Sequence, residues 1–293
     1  MAARFLVLGL LGLSLITAAP ANADEAEVHY RLALAHRRAG RNDDALREVN
    51  ESVRLRPTHA AAHFSRGSIL RQQNQLEPAL GAFRRVAELE PDHGQAHAMI
   101  GAVLVRLNRY QDAIAPLVRA VELDPADTTS AGNLGVAYRR LNRNDEALDV
   151  LRRGIARNPD DVGLLNNFAV ALNSQRRYEE AIAALTQAIS RHDGDYQIHQ
   201  NLAISYRRAE RFQEAIPHYR RAVELHPDNP DALYDLGVCH EQLGNTSEAI
   251  AAFECYVQTV SGRDPVAAAR VRGQIDALRG PAPRPAPRPT PPR

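Results

Sequence analysis

Paired histidines, two cysteines, a column of asparagines and many arginines are the side chains through which this sequence could do chemistry. His59 and His63 stand four residues apart, and His93 and His97 repeat that spacing thirty-four residues later. Two histidines at i and i+4 on one helix face can ligate a single metal ion. A zinc site also wants a defined third and fourth ligand, and the sequence offers none beside either pair. Cys239 and Cys255 are the two cysteines, and an exported chain could join them. No His–Asp pattern surrounds either thiol, so neither reads as a nucleophile.

Composition removes whole classes of activity. All 36 basic residues are arginine, and there is no lysine. That excludes a Walker-type phosphate loop, a Schiff base and a lysine general base. The basic residues are balanced by 35 acidic ones, for a formal net charge of +1. A nucleic-acid partner would call for a basic footprint, so none is expected. No nucleophile–base or metal constellation stands out, so neither an enzyme nor a cofactor is expected.

The elements that must position these side chains repeat. Pro57, Pro91, Pro125, Pro159 and Pro227 fall on one thirty-four-residue grid, interrupted at Asp193. With this proline as position 32, seven units tile the chain: 26–59, 60–93, 94–127, 128–161, 162–195, 196–229 and 230–263. Position 8 is small (Ala33, Gly67, Gly101, Gly135, Ala169, Ala203, Gly237), and position 20 is alanine in every unit, from Ala45 to Ala249. Position 24 is large and apolar: Val49, Phe83, Leu117, Leu151, Leu185, Tyr219, Phe253. In one unit Leu165, Phe168, Ala169 and Leu172 make a single helix face, and Tyr178, Ala181, Ile182, Leu185, Ala188 and Ile189 make a second. A polar turn, Asn173 to Arg177, separates them. The small residues let the two helices approach, acidic residues open the second helix, and the proline ends it. One such pair cannot bury its apolar surface alone, so neighbours must stack.

This period and pattern resemble the tetratricopeptide repeat, over about four-fifths of the chain. The resemblance implies an all-α, right-handed superhelical solenoid of helix–turn–helix repeats, with the first helices lining a concave surface. It implies a non-catalytic module that binds proteins or peptides. At position 6 stand Asn133, Asn167, Asn201 and then Asp235, a column similar to the asparagine ladder in the repeat domain of O-GlcNAc transferase. There, side-chain amides hold the backbone of an extended peptide, since an amide both donates and accepts. Positions 12 and 13 carry a second column that includes Arg106, Arg139, Arg140, Arg207 and Arg208. Facing a groove, it would favour an acidic peptide; in the last turn of a helix it also suits the dipole. The clamp by which chaperone-binding members hold a terminal carboxylate is not matched, because positions 5 and 9 lack its lysine and asparagine. His29, His63, His97 and His199 all fall at position 4, where the family packs an aromatic side chain, so packing is the better reading of the paired histidines. Cys239 and Cys255 fall at positions 10 and 26 of one unit, which point different ways and argue against a bridge.

The ends differ from the repeats. Residues 1–23 read as a secretory signal: Arg4, an apolar run from Phe5 to Thr17, and the small-x-small site Ala21-Asn22-Ala23. The run is too short to span a membrane comfortably, so no span is expected after cleavage. Heavy arginine and alanine use suits a GC-rich bacterium, in which case the chain is exported to the periplasm or beyond. Residues 264–280 read as a capping helix with Asp264 as N-cap, Pro265 at its first position and Gly280 at its stop. Residues 281–293 are a Pro/Arg-rich tail whose composition cannot build a core. The leading expectation is an adaptor or scaffold of the cell envelope that holds an extended segment. The alternatives are a structural subunit of a secretion, pilus or polysaccharide-export assembly, and a metal-binding envelope protein that uses the paired histidines.

Overall fold

A computed structural model describes residues 21–280. The tail at 281–293 lies outside them, as does the segment expected to be a secretory leader, except for its last three residues, 21–23, which fall at the start of the first helix. The described residues form fifteen helices and no strand, an all-α solenoid of paired helices. They divide into two compact units that part between Met99 and Ile100. The first holds α1 (Ala21–Arg38), α2 (Asn42–Leu55), α3 (Ala60–Gln72), α4 (Leu76–Leu89) and the opening of α5 (Gly94–Arg106). The second holds the rest of α5, then α6 (Tyr110–Leu123), α7 (Thr128–Arg140), α8 (Asn144–Arg157), α9 (Val162–Ser174) and α10 (Tyr178–His192). It continues through α11 (Tyr196–Arg208), α12 (Phe212–Leu225), α13 (Pro230–Gln242), α14 (Thr246–Val260) and α15 (Pro265–Arg279). No described helix is long and apolar enough to cross a membrane.

Each helix pair is built around one contact. At position 8 of the repeat, Gly67 and Gly135 leave room that the position-24 side chain fills. A Cβ on either would lie 2.7 Å from Phe83 or Leu151 respectively. Gly101 against Leu117 and Gly237 against Phe253 are closer still. Real Cβ atoms do not approach so closely, so a side chain at these glycines would require the facing ring or isobutyl group to shift. The position-20 alanines are fully buried, and so are the position-24 side chains, Tyr219 included. Burying each large apolar side chain contributes roughly 1.5–3 kcal/mol, so the column supplies much of the adhesion between paired helices.

The pairs are joined by regular caps. Asp127, Asp161, Asp195 and Asn229 accept hydrogen bonds from backbone N–H groups in the first turns of α7, α9, α11 and α13. Such caps satisfy donors that the helix itself leaves unpaired. Pro116 and Pro217 sit inside α6 and α12, which continue through them. After α14, Asp264 caps α15 through the Ala267 N–H at 2.9 Å, and Gly280 stops the helix at φ 76°. Val271 and Ile275 of α15 bury against the Phe253 and Val257 side of α14.

The turn inside each pair requires a left-handed residue at position 15. Gly40 and Gly244 supply it at φ 74°, and Asn74, Asn108 and Asn142 at φ 59°. Asparagine tolerates this conformation through local hydrogen bonding, whereas other L-residues pay about 1–2 kcal/mol. Arg176 and Glu210 nevertheless hold it, both at φ 61°. Glu210→Gly should therefore raise stability by about 0.5–1 kcal/mol, less the extra chain entropy of glycine. Arg176→Gly should do the same, and the two should add in urea denaturation. Unchanged or lowered midpoints would show that the turns relax without strain.

Candidate peptide-binding face

The histidine pairs are resolved by two repeat columns that lie four residues apart. His59 and His93 stand at position 34, the cap position held by Asp127, Asp161, Asp195 and Asn229 in later units. The His93 Nδ1 accepts from the Ala96 N–H at 3.2 Å, and so caps α5. His59 is buried against Ser52, its Nδ1 lying 3.2 Å from the Ser52 Oγ. His63 and His97 stand at position 4 and reach back to the preceding turn. Their Nε2 atoms lie 3.0 Å from the Pro57 carbonyl and 2.8 Å from the Pro91 carbonyl. His199 repeats the contact at 3.0 Å from the Asp193 carbonyl. His29 opens the first unit and lies 2.7 Å from a Glu48 carboxylate oxygen instead. Histidine at position 4 thus donates to the carbonyl that ends the previous repeat. The described residues contain no cluster of three or more histidine, cysteine or acidic side chains placed to hold a metal.

Both thiols are free. Cys239 is buried in α13, where burial pushes its pKa up to about 12, while Cys255 is exposed on α14.

The position-6 column divides into an open and a closed part. The Asn201 amide donates to the Asn166 Oδ1 at 2.9 Å, and Asn166 in turn donates to the Gln197 Oε1 at 3.3 Å. Asp235 accepts from the Tyr219 hydroxyl at 2.9 Å. Arg207 donates to the same hydroxyl at 3.2 Å and lies 3.3 Å from the Asp235 carboxylate. Burial raises the Asp235 pKa. Burial also pulls the Arg207 guanidinium down, but Tyr219 and Asp235 more than offset it and hold its pKa above the ordinary value. Asn133 and Asn167, by contrast, are half-buried on α7 and α9 and make no hydrogen bond with any described residue. The Asn167 Nδ2 lies against the backbone of α7, 3.3 Å from where a Cβ on Gly132 would stand.

The arginine column divides likewise. Arg208 reaches the Asn173 carbonyl at 3.5 Å, and Arg106 at the end of α5 also has a partner. Arg139 and Arg140, in the last turn of α7, make no hydrogen bond or ion pair among the described residues. Burial, and then the neighbouring Arg140 charge, push the Arg139 pKa down.

Sequence reasoning missed the groups that close one end of the column. Asn173, buried in α9, donates to the Ser205 Oγ at 2.9 Å, and Ser205 donates to the Asn201 carbonyl at 2.8 Å. A signal for the Arg207 cluster was present. Tyr219 is the one hydroxyl in an apolar column, and Asp235 the one acid in an asparagine run.

With the fold and this face in view, the class is plain. Three family models described as tetratricopeptide repeat match residues 30–87 with 201–270, 61–193, and 160–228. Together they take in residues 30–270, so the chain belongs to the tetratricopeptide-repeat proteins, which generally act as non-catalytic adaptors for protein or peptide partners. No match was found among curated proteins. Among solved structures, a tetratricopeptide repeat protein from Parabacteroides merdae is 13% identical with a TM-score of 0.67, covering 88% of this chain and all of its own. Pseudomonas aeruginosa pilF is 16% identical with a TM-score of 0.58, over 72% of this chain and 96% of its own. YrrB, described as a repeat protein with an unusual peptide-binding site, is 18% identical with a TM-score of 0.50, over 66% of this chain and 98% of its own. At these identities the likeness shows the shared fold.

The buried histidines make stability depend on pH. Burial lowers the pKa of His59, His63, His218 and His240 below the ordinary 6.5. Below that value the unfolded chain takes up protons before the native one, so stability is full above about pH 6.5 and falls as pH drops toward the native pKa values. The melting temperature should fall by several degrees between pH 7.5 and 5.5. His63→Gln, which keeps a donor for Pro57, should shallow that fall; an unchanged slope would show that His63 protonates without cost.

Proposed function

We propose that this chain is a non-catalytic scaffold that holds an extended peptide segment across the first helices of its middle repeats. The observation that carries the reading is the pair of unengaged amides, Asn133 and Asn167, one repeat apart on α7 and α9. Neither amide is spent on another described residue, so each keeps a donor and an acceptor open to an incoming group. A peptide backbone offers the matching donor and acceptor at every residue, and its side chains need not be read. The likeness to YrrB, whose description names a peptide-binding site, points the same way at the level of fold.

Full-length protein panned against a randomised twelve-residue peptide library should retain extended binders. Asn133→Ala combined with Asn167→Ala should weaken them roughly tenfold or more, because two net hydrogen bonds of about 1 kcal/mol each are lost. Asn201→Ala should cost stability instead, since its amide is spent on Asn166. Equal binding by the double variant, with helicity retained, would move the site off this face.

We also propose export, on the charge, apolar run and small-x-small site in residues 1–23. Intact mass of the chain made with its leader in a Gram-negative host should match a start at Asp24 in the periplasmic fraction. An uncut chain retained in the cytoplasm would overturn this. A scaffold in the envelope, with its partner presented there, follows from the two proposals together.

A further inference from the structure

The first helix of each later repeat gives a standard for α1. α3, α7, α9, α11 and α13 each pack on the second helix before them. There the residues at position 3 (Ala62, Ser130, Leu164, Ile198, Ala232) and at position 10, from Ile69 to Cys239, are no more than 1 % exposed. In α1 the same positions are Val28 and Ala35. Val28 is 55 % exposed, Leu32 one turn on is 44 % exposed, and Ala35 is exposed as well. Val28 and Leu32 are two of the four large apolar side chains exposed among the described residues. α1 thus shows to solvent the stripe that later first helices bury.

Glu25, Val28, Leu32 and Ala35 follow one another at alternating spacings of three and four, the seam of a helix that packs lengthwise on another helix. Charge selects the direction. Asp24 and Glu25 stand at the start of α1, Arg37 and Arg38 at its end, all exposed and without an ion pair among the described residues. A second α1 laid antiparallel on the first brings an acidic end onto a basic end twice, and sets Val28 of each copy against Leu32 of the other. A parallel arrangement would set like charges together. Arg31, which flanks the seam, is already paired with Glu27 at 2.9 Å. The antiparallel pair also closes on itself, because the same surface serves on both copies. At the C-terminal end Val271 and Ile275 of α15 are spent on α14, which leaves a head-to-tail contact less to bury.

We infer that α1 is a self-association surface, on which a second copy of this chain packs its own α1 antiparallel through Val28, Leu32 and Ala35. A helix of 18 residues is ~27 Å long, and one pair of that length buries less than the roughly 1,600 Å² of a standard interface. The dimer is therefore weak and depends on concentration. The seam lies after Asp24, so removal of residues 1–23 leaves it whole. A dimer carries two copies of the face on α7 and α9, so a partner that repeats its segment gains avidity. Self-association itself does not depend on that face.

Sedimentation equilibrium of the full chain, in whichever form its intact mass shows, should give a mass rising from one chain toward two between about 1 and about 500 µM. Val28→Ser combined with Leu32→Arg should weaken the dimer at least about tenfold. The melting temperature at the lowest concentration should not change, because both side chains are exposed in the single chain. Glu25→Arg and Arg38→Glu should each weaken the dimer several-fold, and an equimolar mixture of these two variants should restore it. A mass of one chain at every concentration would overturn the inference. So would a dimer that survives Val28→Ser with Leu32→Arg, or a mass that grows past two chains. Dimers as strong in each charge-swapped variant as in the native chain would overturn the antiparallel pairing. One chain throughout, with slow hydrogen exchange in α1 only while residues 1–23 remain attached, would give this face to that segment instead of a second copy.

Discussion

A glycine at position 8 and a bulky side chain at position 24 share one volume, and the rest of each repeat is arranged around that fit. In Gly67–Phe83 and Gly135–Leu151 the ring or isobutyl group lies where a Cβ would be. The helices therefore meet at close range, and the alanine at position 20 can be buried completely. Where position 8 is alanine, the facing residue is Val49, Leu185 or Tyr219. Leucine thus faces glycine at Gly135 and alanine at Ala169 and is fully buried in both, so position 8 must be small and the facing side chain settles around it. Once the pair is fixed, the direction of every first helix is fixed, and with it the face that carries positions 6, 12 and 13.

Histidine illustrates how one column can imitate a site. The i, i+4 pairs arise because position 34 caps a first helix and position 4 reaches back to the turn before it. Those duties are independent: aspartate does the capping in α7, α9 and α11, and position 4 is apolar wherever it is not histidine, as at Ala131, Leu165 and Leu233. The spacing of His59–His63 and His93–His97 is thus a product of the thirty-four-residue period. The His63 and His97 Nε2 atoms face the Pro57 and Pro91 carbonyls, the His59 Nδ1 faces the Ser52 hydroxyl, and the His93 Nδ1 faces the Ala96 N–H.

The fold was legible in the sequence because its determinants are periodic. The alanine and small-residue columns recur in all seven units and the proline column in five, and chance cannot hold them in register. The face that carries function was legible only in part. Asn133 and Asn201 look alike in sequence, yet one is unengaged and the other is bonded to Asn166. That difference depends on what stands across the helix–helix boundary, some thirty-five residues away, and not on the column itself. The left-handed turn column was equally available, as Gly40, Asn74, Asn108, Asn142 and Gly244, but Arg176 and Glu210 break its chemical uniformity and hide it.

The closed and open ends of the position-6 column have opposite physical characters. Around Asn173, Ser205, Arg207, Tyr219 and Asp235, buried polar groups are bonded mainly to one another across successive repeats. Such a network fixes the spacing of its helices, because moving one would strand a buried donor or acceptor. At Asn133, Arg139 and Asn167, the same positions make no hydrogen bond or ion pair among the described residues. The two parts of one column therefore differ in role: the bonded part spaces its helices, and the open part leaves its amide donors and acceptors unspent among the described residues.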